Sequence, residues 1–481
     1  MIELVAIAPL LPIIAVITAL FLRAVDRDEQ RWVWLGLISH IFGAIAKVLI
    51  VYYWYGDGDM TSYIKWGAIM ADFIRSAPDQ WAGPYLQFGL HNNEIALPYD
   101  PPGSGGATGT MFALAAFYQV IFPGAKFGIS LTTAVFSFSS KMAIYMVFRE
   151  VLPPEYRRRL AYAMFLIPSA VYWSGGFGKE GVAFMTAGWI VWGYYQAFHK
   201  GRWVTGLSIA VAAAAWVSLI KPYIVFPMVV AFAAWEYGRR NIGRAFNPLR
   251  MLAIGVVAGV FVVGALGLLG SLFPRYALEN LAESSEELQV QGVRSGSGSM
   301  YSAHVGSGPV GLVASAPLAL FAAFYRPLLF EARNAMMLMS ALETTTLLLL
   351  SFYIFRERRL GILEVLQRNP ALLFCATYAL LFGFATGYAS TNLGTLSRYR
   401  MPMLPYVGIL FAALTPLRAT AAAQLRRRPL QRTPSRVVAI PGSTEAAAVS
   451  AAVSAAEKAR AEAAARRERR RRRLEGVAPS A

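Results

Sequence analysis

One cysteine in 481 residues, Cys375, excludes a disulfide framework and a thiolate metal site. Histidine is nearly as scarce. Of the four in the chain, His91 and His304 stand isolated, with none of the paired spacing a zinc site needs. Charge is thin too: 15% of residues are Asp, Glu, Lys or Arg against 56% hydrophobic, with a mean hydropathy of +0.46. That balance excludes an ordinary soluble domain. No internal repeat is evident, which weighs against a transporter built from paired inverted halves.

What the chain has in quantity is apolar sequence in runs of membrane-spanning length. The runs are 3–22, 33–54, 127–148, 160–174, 181–198, 203–220, 222–237, 250–270, 335–355, 370–388 and 401–416. They predict an all-α polytopic membrane protein of about 11 transmembrane helices. The first run has no basic flank before it and no small-residue cleavage site after it, so it is expected to stay as a helix. Basic clusters mark the cytoplasmic side. They are Arg23/Arg27/Arg31, Arg157/Arg158/Arg159, Lys200/Arg202, Arg239/Arg240/Arg244/Arg250 and Arg356/Arg358/Arg359. The alternation closes only if 107–122 and 309–325 do not cross, so these two read as interfacial or re-entrant helices. Residues 1–417 then form the membrane domain. Residues 418–481 carry 15 Lys/Arg and 5 Glu, which is +10 of the net +18. This Ala/Arg-rich tail reads as disordered or weakly helical and cytoplasmic. It has no aromatics for nucleic-acid stacking, so an anionic lipid surface is its expected contact and nucleic acid is not.

With that orientation the polar motifs gather on the outer face, in the loops 56–126 and 271–334 and in shorter turns. Tyr55-Gly56-Asp57-Gly58-Asp59 follows the second run. A carboxylate at such a membrane exit can deprotonate an acceptor hydroxyl, and an Asp-x-Asp pair can hold a divalent ion such as Mg or Mn against a phosphate. The same residues also read as a plain polar turn. Next, 62–76 predicts an amphipathic helix with Tyr63, Trp66, Ile69, Met70, Phe73 and Ile74 on one face, lying on the membrane plane. Lys179 and Glu180, after a Gly-rich turn, read either as a phosphate-binding ion pair or as a helix start. Arg398 and Arg400 bracket Tyr399 before Met401-Pro402, where arginine forks suit phosphate and single arginines merely snorkel. Glu343 is an ionisable group inside an apolar run, a functional candidate by position, with Arg326 or Arg333 as its expected partner. The stretch 271–308, acidic and then Gly/Ser-rich, reads as a lid.

Taken together, the acidic pair in the first large outer loop, the helix after it, the many spans and the run Ser397-Arg398-Tyr399-Arg400-Met401-Pro402 resemble the GT-C superfamily. Pro168-Ser169 to Lys179-Glu180 and Arg326-Pro327-Leu328-Leu329-Phe330-Glu331 are similar to its bacterial members. The resemblance covers most of 30–410. It implies a bacterial inner-membrane glycosyltransferase of cell-envelope polysaccharide biosynthesis, its active site facing the periplasm. The donor would be a polyprenyl-phosphate sugar, and the acceptor a glycan, lipid or protein. Asp57 or Asp59 would be the catalytic base. Arg398, Arg400 or Lys179 would neutralise the lipid-phosphate leaving group, with Glu180, Arg326 and Glu343 in the same binding set. Tyr63, Trp66 and Trp173 would stack on sugar rings. The chain departs from that pattern in placing its acids after the second span and in lacking an appended soluble domain. A Wzy-type polymerase or a flippase coupled through Glu343 are the alternative readings.

Overall fold

The computed structural model describes residues 2–242, 247, 249, 301 and 308–416, with 93, 102, 104 and 391 excepted. The expected span 250–270, the stretch 271–300, His304 and the tail 418–481 lie outside the described residues. The described residues fall within one compact unit. Among the described residues the regular structure is helical, without strands.

Six helices are long and apolar enough to cross a membrane by length and composition: Ile2–Ala24, Arg27–Tyr55, Lys126–Val151, Trp203–Ile220, Ala335–Arg358 and Pro370–Ala389. They mark a multi-pass membrane protein. Each coincides with a run read from the sequence. The other described runs fall short in length or in hydropathy, and proline accounts for most of the shortfall in length. The run 160–174 is two helices, Arg157–Phe165 (α8) and Pro168–Gly175 (α9), the break falling just before Pro168, which has no amide to continue the first helix and takes the first position of the second. Pro222 gives one 3-10 turn before Val225–Arg240 (α12), and Pro402 another before Leu404–Leu414 (α18). The run 181–198 falls within Lys179–Phe198 (α10), whose Tyr, Trp, Gln and Gly residues dilute its hydropathy.

In chain order the earlier elements are α1 (Ile2–Ile7), α2 (Leu10–Ala24), α3 (Arg27–Leu49), α4 (Asp59–Ser76), α5 (Pro78–Gly89), α6 (Gly106–Ile121) and α7 (Lys126–Val151). After α10 come α11 (Trp203–Ile220) and α12, then α13 (Gly308–Tyr325), α14 (Ala335–Arg358), α15 (Gly361–Arg368), α16 (Pro370–Ala389), α17 (Leu393–Tyr399) and α18. The most enclosed of the six candidate spans is α7, which packs against α3, α9 and α10. Small residues let the backbones close up, as in membrane bundles generally. At Gly188 of α10 a Cβ would lie 1.9 Å from the Ser140 carbonyl oxygen of α7, and the Gly188 amide donates to the Ser140 hydroxyl at 2.7 Å.

Long-range polar contacts sort the loops into two ends that do not mix. At one end Arg157 meets Asp26 at 2.5 Å, Arg149 meets Glu29 at 2.5 Å, and the Tyr145 hydroxyl donates to buried Glu29 at 2.6 Å. Lys200 pairs with Glu150, and Arg159 donates to the Thr415 carbonyl at 2.6 Å. These residues lie in or beside the basic clusters. At the other end are Asp59, Thr108, Lys179, Glu180, Lys221 and Arg398, all from the loops read as the opposite face.

Two connecting segments have shapes of their own. The α4 helix appears where the amphipathic pattern puts it, but its apolar face does not lie bare. Tyr63, Ile64, Met70 and Ile74 are buried, and α4 packs against α6. Segment 308–334 runs down and back. Going along α13, Ala319 meets Gly387 near the end of α16, and Phe324 then meets Gly383, one turn deeper. Pro327 lies deeper still along α14, its carbonyl accepting from the Thr344 hydroxyl at 2.6 Å. The chain then climbs to Asn334, which caps α14 through the Met337 amide at 2.9 Å.

Candidate functional site

The chain leaves α3 through a π-helical turn, Ile50–Tyr55, whose Tyr53, Trp54 and Tyr55 are exposed, as suits a membrane interface. It then turns at Gly56, whose φ of 77° lies where only glycine rests without penalty. Asp57 folds back onto this turn. One of its oxygens accepts from the Gly58 amide and the Thr61 hydroxyl, each at 2.7 Å. Thr61 foremost, then Gly58, holds the Asp57 carboxyl below the usual carboxylate range. Asp59 opens α4 and points elsewhere, to Nη1 of Arg398 at 2.5 Å.

Arg398 is the hub of this end. It sits on α17, whose start is fixed by the Asn392 side chain accepting from the Gly394 amide at 2.7 Å. Its Nε lies 2.7 Å from Oε1 of Glu180, and Lys221 donates to that same oxygen at 2.6 Å. Glu180 is 1% exposed. Burial pushes its carboxyl up, but Arg398 and then Lys221 outweigh this and hold it well below the usual range. Burial likewise opposes the charge on Arg398, yet Glu180 and Asp59 raise its pKa further. Lys179 and Glu180 are therefore not an ion pair with each other. Lys179 donates to the Thr108 hydroxyl of α6 at 2.7 Å, with its pKa lowered by burial.

Beside Arg398 opens a cavity of about 400 Å³. One wall comes from α9 and the π-helical turn after α3, with Ser169, Tyr172, Trp173 and Tyr55. The facing wall comes from α14, with Met336, Met337, Met339 and Ser340, and the rim carries Asn392, Thr395 and Ser397. Behind this cavity lies a buried ion pair. Glu343 accepts from the Ser169 amide at 2.9 Å and the Ser169 hydroxyl at 2.6 Å, and faces Arg400 at 3.7 Å. Arg400, fully buried, donates to the Ser340 hydroxyl at 2.7 Å and to the Arg326 carbonyl at 2.7 Å, and Ser340 in turn meets Ser397 at 2.8 Å.

Several expectations change with this geometry. The partner of Glu343 is Arg400, because the Arg326 guanidinium folds onto Glu331 with Nε at 2.9 Å. Of the aromatics expected to stack on a ligand, Trp173 lines the cavity. Tyr63 is buried edge-on against Phe112 and Phe177, and Trp66 stacks on Tyr99. Asp57 and Asp59 diverge, so the pair does not fit a divalent ion. Among the described residues no cluster of His, Cys, Asp or Glu is assembled for a metal. His91 meets the Thr110 hydroxyl at 3.0 Å. Sequence reasoning missed Lys47 of α3, which donates to the Gly176 carbonyl at 3.3 Å. Lys47 is the one Lys, Arg, Asp or Glu in the run 33–54, and that solitary charge is the signal that finds it. Ser169, Ser340 and Tyr172 carried no such signal.

No family model matches the chain, and no curated protein or solved structure matches it either.

Proposed function

We propose that the chain is an integral membrane glycosyltransferase. It moves a sugar from a polyprenyl-phosphate donor to an acceptor hydroxyl at the outer face of the bacterial inner membrane. The expected orientation, with the basic end and tail cytoplasmic, belongs to the same proposal. The observation that carries it is the Asp59–Arg398 pair, 2.5 Å apart, beside a cavity that offers Tyr55, Tyr172 and Trp173 as stacking surfaces.

The pair supplies the two groups such a transfer needs. A donor phosphate competes for the Arg398 guanidinium, whose planar fork suits it, and frees Asp59. Asp59 then takes the proton of the acceptor hydroxyl as its oxygen attacks the anomeric carbon. The bond from that carbon to the phosphate oxygen breaks, and the negative charge left on the phosphate rests against Arg398. Asp57, committed to its own turn, positions the start of α4.

The test is the lipid-linked glycan profile of cells carrying wild type, Asp57→Asn, Asp59→Asn or Glu343→Gln. Accumulated donor or under-glycosylated acceptor in Asp59→Asn alone is the expected result. A profile disturbed only by Glu343→Gln would sink the proposal and favour a coupled transporter.

A further inference from the structure

The charges around Glu180 do not balance. Lys47 and Lys221 are each 4% exposed, and Glu180 is 1% exposed. Lys221 and Arg398 both sit on Oε1 of Glu180, and Lys47 lies within electrostatic reach of the same carboxylate. Among the described residues no carboxylate comes within ion-pair distance of Lys47. Its contacts are the Gly176 carbonyl at 3.3 Å and the face of Trp173 at 5.5 Å. With Lys179, four cations share two carboxylates, Glu180 and Asp59. Two positive charges are in excess in a setting where unpaired charge is costly.

The surplus is held in a built frame. Gly176-Phe177-Gly178 leads into α10 without a side chain capping its first amides, so the positive end of that helix dipole is added to the cations. Lys47 Nζ lies 3.0 Å from where a Cβ on Gly178 would stand, so a side chain there would crowd it. Trp173 is shared: Lys47 lies over its ring at 5.5 Å and Arg398 at 5.9 Å, and the ring also lines the cavity. Arg398 itself lines the cavity, Lys47 reaches its wall through the Trp173 ring, and Lys221 joins them through Glu180.

We infer that Lys47, Lys221 and Arg398 form a binding site for a doubly charged phosphate group, reached through the cavity. Glu180 is the positioning residue that keeps the three cations together. The inference rests on the proposed function for the side from which ligand arrives and for reading the bound phosphate as a reaction product. A phosphate monoester carries close to two negative charges near neutral pH, which matches the surplus. A phosphodiester carries one. The site is thus better matched to a phosphate once its sugar has left than to the intact donor, the preference a catalyst needs.

The experiment is binding to the purified full-length protein in phosphatidylcholine nanodiscs, read by ligand-induced thermal shift and titration. The probes are inorganic phosphate, farnesyl phosphate and its methyl diester. Wild type is expected to bind farnesyl phosphate at least about tenfold more tightly than the diester. Lys47→Met and Lys221→Met should each weaken farnesyl phosphate by about tenfold or more, the loss of one charge-assisted contact, and leave the diester little changed. Inorganic phosphate bound as tightly as farnesyl phosphate would identify free phosphate as the natural anion. Much weaker binding would identify a lipid headgroup. Equal affinity for monoester and diester, or no effect of either lysine in variants that keep the wild-type melting temperature, would overturn the inference. Farnesyl phosphate binding without sugar transfer would leave the anion site standing and remove the transferase.

Discussion

Two aspartates one residue apart have opposite employment. Asp57 is satisfied within its turn and Asp59 is held by Arg398. Asp59→Asn is expected to lower sugar transfer by about 10²–10⁴-fold, the usual worth of a general base, while Asp57→Asn costs a few-fold; radiolabelled transfer in membranes measures both. Glu180 gives a pH signature. Its folded pKa is depressed, so it adds stability above the ordinary Glu range, and that stability is lost only as pH falls toward the depressed value. The melting-temperature gap between wild type and Glu180→Gln should be flat from pH 7 to about 5 and should shrink only below about pH 4, where an unfolded Glu takes up its proton. Glu343→Gln keeps the partners of Ser169 but leaves Arg400 buried without its counter-charge, so a loss of about 3 kcal/mol in unfolding free energy is expected. Most members of this set were legible in the sequence as charges out of place. Their pairing was not, because Asp59 and Arg398 are 339 positions apart and only packing brings them together.

Among the elements, α9 has the largest consequences for its size. Eight residues long, it carries Ser169, Tyr172 and Trp173 to the cavity wall. Its first turn is held by Glu343 from α14, and its Ala170 carbonyl accepts from Lys141 of α7 at 3.0 Å. Just beyond its end, the Gly176 carbonyl accepts from Lys47 of α3. Reading 160–174 as one span conceals this, since hydropathy registers the apolar run and not the backbone break at Pro168. The six long runs were legible because lipid leaves only apolar helices as a solution. Shorter helices bury polar atoms against partners that no local pattern names. The α7–α10 seam offers an element-scale check. Gly188→Ala would put a methyl 1.9 Å from the Ser140 carbonyl, so the helices must part. The overpacking should cost about 1–3 kcal/mol and lower the melting temperature of the purified protein.

Across the whole molecule, the separation of contacts into two ends gives a direct probe of orientation. The native chain offers one thiol, and Cys375 is buried. Gln80→Cys and Glu155→Cys would each place a single exposed thiol near opposite ends. A membrane-impermeant maleimide is expected to label Gln80→Cys in intact spheroplasts and Glu155→Cys only after lysis. Equal labelling of both in intact spheroplasts would contradict the arrangement. The clamping of α9 also bears on how the protein fails when heated. Because side chains from α14 and α7 hold this one short helix and Lys47 of α3 holds the turn after it, the cavity is not expected to soften while the surrounding bundle stays intact. Loss of ligand binding and loss of the folded bundle should therefore coincide on a single thermal transition, with no temperature window in which an inactive but still folded protein accumulates.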